Sequence, residues 1–412
     1  MPARRSTGFD ANRLLGLSAA LVAVALFACA TRPYEPAPLD SVAFKSRAQT
    51  QRDGDMRVTA AVLTPDEAEA VFGIPTYDRS MQPIWLEVEN GGRRAIRFAP
   101  AGTDRNYFPP AEVWYTHRKG FSKQGDKALE KYLHDSAMPR TIPAGETRSG
   151  FVFTYASPGT KAFNVDLFGA GGQDASFTFF IEVPGFVPDH AEIDFGGLYS
   201  PAEVRDVDAA GLRAAMAALP WTTTDRTGDL PGLPVGLALI GKGDDVLQAL
   251  LRAGWYETVR PDEESELARA QFLFGRPPDA VFRIQRGGRY DRNEVRFWLA
   301  PLRVEGEPVW LGQITHYIGR ATQIERALFE AQLDPDMDDG RNFMLQVMWY
   351  SQSLLANAWL NTGEAVPVDQ PRQDYRGASY FSDGVRSVLW LSGSPVSLLE
   401  ADYVAWDEPL YR

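Results

Sequence analysis

A single apolar run, Leu14 to Ala28, ends at the only cysteine in the chain, Cys29. Its fifteen residues fall short of the roughly 20 that a membrane-crossing helix needs. No later stretch approaches that length. The chain therefore does not read as a polytopic membrane protein, and with no second cysteine it has no internal disulfide. A chain of 412 residues that is 44% hydrophobic and 23% charged has the make-up of folded protein and room for two domains. Its 42 basic residues against 54 acidic ones give a net charge of −12, which offers no footprint for nucleic acid.

Arg4, Arg5 and Arg13 precede the apolar run, as in a secretory leader. Its end, Leu26-Phe27-Ala28-Cys29, resembles a bacterial lipobox, whose cysteine thiol takes a diacylglyceryl group. Each buried methylene contributes about 0.8 kcal/mol, so two or three acyl chains anchor stably where one does not. The expectation is a signal peptide over 1–28, lipidation of Cys29, and a membrane partner reached through that lipid. Ala30 follows the cysteine where Asp would favour inner-membrane retention, so the expected location is the outer membrane, facing the periplasm. Without the leader the net charge is −14, and the body is held off anionic lipid. Residues 29–44, rich in Pro33, Pro36 and Pro38, read as an extended tether.

Between 45 and 190, short β-type runs alternate with Gly, Pro and Asn turns: Arg57–Val62, Ile84–Glu89, Glu112–Thr116, Gly150–Tyr155, Ala162–Phe168 and Phe177–Val183. That spacing predicts an Ig-like β-sandwich. Ile84 to Glu89 alternates as a strand with one wet face, and Asn90-Gly91-Gly92 reads as a hairpin turn. Thr64-Pro65-Asp66-Glu67 is a capping box that opens a helix to Phe72, and Lys127–Leu133 is a second helix. His117 and His134 lack partners at metal-ligand spacing and are given no chemistry.

A break near Gly185 to Ser200 opens a second domain over 200–405, expected to be α+β with a mainly antiparallel sheet. Ser200-Pro201 is read as capping a helix that runs to Leu219, and the strand Val235–Ile240 leads through Gly241-Lys242-Gly243 into an amphipathic helix ending at Gly254. The full phosphate-loop pattern is missing there, so the turn needs no ligand. The series Leu239-Ile240-Gly241, Ala253-Gly254-Trp255, Phe274-Gly275-Arg276-Pro277, Arg296-Phe297-Trp298, Val309-Trp310-Leu311-Gly312 and Asp334-Pro335-Asp336-Met337-Asp338 resembles the LssY-like C-terminal domain. The resemblance implies a domain found alone or fused to membrane proteins, including phosphatidic-acid-phosphatase-like ones, with no established activity. It also implies histidines just before Arg-x-Trp and within a Thr-His-x-x-Asp-Pro-Asp motif. Glu294 and Ala331 stand at those positions here.

Two clusters invite chemistry. The strands Glu294–Val304 and Pro308–Ile318 flank Glu305-Gly306-Glu307, read as a three-residue hairpin loop that pairs Val304 with Pro308. In that register Arg296 faces His316 and shares its face with Glu294, while a one-residue slip would part them. The trio would orient an anionic group through the bidentate guanidinium, although satisfaction of partly buried charge is the preferred reading. Asp334, Asp336 and Asp338 match the first calcium-loop positions, but Asp339 and Leu345 replace the required Gly and Glu. Capping of a helix over Arg341–Leu360 is therefore preferred to metal, with Asp338 as the expected cap.

No set of nucleophile, base and orienter can be assembled, and no cofactor motif is present. The expected function is a non-enzymatic binding or scaffolding module of the cell envelope, with an envelope protein or a lipid as partner. The alternative is a hydrolase of lipid or phosphate esters around Glu294, Arg296 and His316.

Overall fold

The computed structural model describes residues 33–105, 107–170, 174–259, 271–288, 291–318 and 332–407. The expected leader, Cys29 and Ala331 lie outside the described residues. Two compact units divide the chain: one runs to Ala156 and includes Asn164–Phe177, and the other comprises Ser157–Phe163 and the chain from Thr178. Several mainly antiparallel sheets dominate.

In the first unit, β1 (Gln49–Asp53), β2 (Met56–Val62), β3 (Met81–Asn90) and β4 (Thr147–Tyr155) form one antiparallel sheet in chain order. Ile96–Ala99 and Thr141–Ile142 belong to a second four-stranded sheet. Asn90-Gly91-Gly92 does not close a hairpin, because β3 and Ile96–Ala99 lie in different sheets. Buried Asn90 holds the crossing instead: its amide donates to the carbonyls of Arg94, Ile142 and Pro143 at 2.8, 3.0 and 3.1 Å, and its Oδ1 accepts from Gly92 N.

Helix α1 (Pro65–Phe72) starts at the predicted capping box, with Thr64 and Glu67 bonding each other's backbone, and ends at Gly73 in the left-handed region. Its Ala68, Val71 and Phe72 pack against Trp85, Phe151 and Phe153 of the first sheet. The same core takes Val113 from α2 (Pro110–His117) and Leu129 and Leu133 from α3 (Lys123–Asp135). The expected strand Glu112–Thr116 is thus a helix. Pro110 at its first position is pre-set for helical φ, and the burial of Val113 overrides the β preference of Trp114, Tyr115 and Thr116.

The second unit is built on one large sheet. Its main strands are β5 (Leu237–Ile240), β6 (Ala280–Gly288), β7 (Asp291–Val304), β8 (Glu307–Ile318), β9 (Leu354–Asn361) and β10 (Val385–Leu391), in the spatial order β6-β7-β8-β5-β10-β9. Strands β5 and β10 run parallel, whereas β6, β7, β8 and β5 are joined antiparallel. Helix α4 (Ala209–Ala217) covers one face, where Leu212 and Met216 meet Ala238, Ile240, Trp298 and Leu311. Helices α5 (Gly243–Arg252) and α6 (Met337–Tyr350) cover the other, packing Leu250, Met344 and Met348 on Leu237, Leu239, Phe297 and Trp310. A strand covered on both sides has no wet face, which is why Leu237–Ile240 is apolar throughout. No helix among the described residues is long and apolar enough to cross a membrane.

Three expected elements change here. The helix expected from Ser200 begins only after Asp208, whose side chain accepts from Gly211 N. The helix expected over Arg341–Leu360 ends at Tyr350, and Leu354–Asn361 is strand β9 beside β10. Gln352 lies between them at φ 59°, a reversal that no helix continues through. The hairpin loop has two residues rather than three: Val304 pairs with Glu307, and Glu305 and Gly306 have φ of 51° and 84°. Such a pair of positive φ values is the type I′ signature, whose twist matches that of the flanking strands.

Candidate functional site

The turn and an irregularity farther along the same strand pair decide what meets what. Shortening the loop by one residue moves every side chain of β8 to the opposite face relative to the expected register. A further shift of two residues, at an irregularity between Leu299 and Arg303, places Arg296 opposite Gln313 and His316 opposite Asn293. Glu294 and Arg296 remain together on the α4 face, and His316 is separated from them on the α5 and α6 face.

On the α4 face the cross-strand rows are Arg283–Glu294–Thr315, Val281–Arg296–Gln313 and Gln285–Arg292–Tyr317. Glu294, 3% exposed, is the hub. Its Oε2 accepts from Arg283 Nε at 2.6 Å and lies 3.7 Å from Arg292 Nε, while its Oε1 accepts from Arg296 Nη2. Arg296 also donates to Gln313 Oε1 at 3.1 Å and to Thr315 Oγ1 and Tyr317 OH at 3.4 Å. The Arg292 guanidinium sits 4.7 Å from the centre of the Tyr317 ring.

Burial pushes the Glu294 carboxyl up, but the fields of Arg296, Arg283 and Arg292 outweigh it and hold the group down at about 2. Burial lowers the Arg296 guanidinium, and Glu294 more than restores it, so its net direction is upward. Three guanidiniums thus share one carboxylate, an excess of two positive charges. Arg283 carries that excess outward, since its side chain is 40% exposed. Gln313 is fully buried on the same face, and its Nε2 has no hydrogen-bond partner. Cationic donors and an unpaired amide donor are what an anionic group would need. Arg292 was open to sequence reasoning because Arg292, Glu294 and Arg296 alternate along one strand. Arg283 was not, because it enters from a neighbouring strand.

The three aspartates have separate tasks. Asp336 caps α6, accepting from Asp338 N at 3.0 Å, so the cap expected of Asp338 falls two residues earlier. Asp338 accepts from Ser382 Oγ and Asp383 N, both at 2.8 Å, and faces Arg341. Asp334 bonds His316 Nδ1 at 3.0 Å.

Two further features had no sequence signal. A cavity of about 390 Å³ on the α5 and α6 face is lined by Phe195, Leu247, Leu250, Phe282, Phe297 and Trp310, among others. Beside Phe282, His190 Nε2 lies 2.8 Å from the Glu257 carboxylate, which is 1% exposed. Burial raises Asp189, next to it, to about 6.

No curated protein matches the chain. Residues 267–385, which contain β6, β7, β8, α6 and β9, match the family model described as LssY C-terminus. The arginine-flanked carboxylate and the row around His316 both lie within that match, and the chain carries an LssY-like C-terminal domain.

Proposed function

We propose that the protein is a lipid-tethered, periplasm-facing binding module of the outer membrane that captures an anionic group on the α4 face of its LssY-like domain. The carrying observation is the sharing of Glu294 by Arg283, Arg292 and Arg296. A cationic patch on a body of net charge −14 discriminates locally what the whole molecule repels. The first unit, with the four-stranded sheet of β1 to β4, serves as an Ig-like spacer, and Cys29 supplies the anchor.

Titration of the purified chain with inorganic phosphate and with glycerol 3-phosphate tests the binding. Arg283→Ala, at the most exposed of the three arginines, is expected to weaken it at least tenfold, and an unchanged affinity would reject the site. The hydrolase alternative predicts turnover of a phosphate-ester substrate that Glu294→Gln abolishes. Labelling with an acyl-chain analogue, expected in the wild type and absent from Cys29→Ser, tests the anchor separately.

A further inference from the structure

We infer that His316, Asp334, Asp339 and Asn293 form a binding site for a divalent first-row transition-metal ion, on the opposite sheet face from the arginines and independent of the anion reading. His316 is flanked in register by Asn293 on β7, and its carbonyl accepts from Asp334 N at 2.9 Å on the other side. Asn293, His316 and Asp334 thus form one cross-strand row, and side chains so placed lie about 5 Å apart at their Cβ atoms. Asp339 joins them from the first turn of α6. One ligand atom from each of His316, Asp334 and Asp339 lies within 4.8 Å of the others. Atoms bound to a common zinc at about 2.0–2.2 Å lie roughly 3.3–3.6 Å apart in a tetrahedron, so the three groups close on the ion by about 1 Å at most.

Asn293 is the independent observation. It is fully buried, and neither its Oδ1 nor its Nδ2 has a hydrogen-bond partner. A buried amide with both ends unpaired needs an explanation such as a bound ion. As a metal ligand it would offer its carbonyl oxygen. The set is then one imidazole nitrogen, two carboxylates and one amide oxygen, whose two negative charges balance a divalent cation. Imidazole with oxygen donors suits zinc or manganese, whereas calcium takes oxygen ligands alone.

The test is thermal melting of the full chain with Zn²⁺, Mn²⁺ or Ca²⁺, together with Co²⁺ absorption as a spectroscopic reading of the ligands. The expectation is a melting temperature raised by several degrees by Zn²⁺ or Mn²⁺, with a smaller response to Ca²⁺. Asp339→Asn, at an exposed position, should fold normally and lose at least tenfold in metal affinity. Asn293→Leu should remove the metal response while leaving the metal-free protein as stable as before or more so. His316→Ala should abolish the visible Co²⁺ bands. No shift with Zn²⁺ and Mn²⁺, a Ca²⁺ shift of equal size, or a full response retained in Asp339→Asn or His316→Ala would each overturn the assignment.

Discussion

The two units differ in what they bury. In the first, the buried polar side chains among the described residues are neutral: Thr76, Gln82, Asn90, Thr103 and Thr154. In the second, among the described residues, Lys161, Asp189, Glu257, Asp279, Glu294, Asp338, Arg341, Asp374 and Arg386 are all buried and charged. Burying charge costs several kcal/mol per ion unless pairing offsets it. The first unit is therefore a scaffold of apolar packing and neutral hydrogen bonds, and the second holds its sheet together around ionic groups that a purely structural domain could omit. Buried ionic networks also serve structure, as Arg341 does between Asp338 and Asp383. The difference nevertheless directs attention to the second unit, where both proposed sites lie.

The largest expected effect attacks that contrast at its hub. Glu294→Gln leaves three guanidiniums without a counter-charge and should cost about 3–5 kcal/mol. Denaturant unfolding would measure it, and hydrogen exchange should place the loss in the second unit. The pH dependence sharpens the same point. Because Glu294 is held at about 2 in the fold, its contribution is present above the ordinary carboxylate range and is lost as pH falls toward 2. Asp189 works in the opposite sense: its carboxyl is raised to about 6, so stability is lost as pH rises from its ordinary range through 6. Asp189→Asn should raise the melting temperature at pH 7.5 and change it little at pH 4. A stability profile in which Asp189→Asn has the same effect at both pH values would break this account.

The neutral counterpart is Asn90→Ala. It removes the donor for three carbonyls and should cost about 1–3 kcal/mol in the first unit. That loss should not vary between pH 4 and pH 8; a strongly pH-dependent loss would erase the distinction between the units. The smallest effect is expected from Asp336→Ala, which removes the α6 cap at about 0.5–2 kcal/mol. If Asp338→Ala costs less than Asp336→Ala, the cap outweighs the bonds to Ser382 and Asp383; the reverse order would make Asp338 the stronger tie.

What could be read from the chain followed a physical division. Local signals held: Thr64 and Glu67 fixed the start of α1, and the alternation of Glu294 with Arg296 put both on one face. Signals shared by two structures failed. Leu354, Leu355, Ala358 and Trp359 fit a helical stripe, but the positive φ of Gln352 and pairing with β10 made the segment a strand. Trp114 and Tyr115 favour strands in isolation, yet the core that takes Val113 required a helix. The neighbours of Glu294 depended on pairing between strands. Arg283 comes from β6, and the place of His316 turned on Glu305 accepting a left-handed φ that glycine adopts more readily.

That turn also governs how the domain tolerates insertions and deletions. A substitution at Arg283 or Asp339 alters one face and spares the other. One residue added between Glu305 and Gly306, with β7 and the irregularity between Leu299 and Arg303 held as they are, would shift β8 so that Gln313, Thr315 and Tyr317 exchanged sides with Ile314 and His316. The arginines would then face an isoleucine and a histidine, and Asn293 would lose its row. The exposed tip of a hairpin is ordinarily where length changes are absorbed, but here its length is common property of both faces, and a single-residue insertion that carried through to the site rows would disrupt both proposed sites at once.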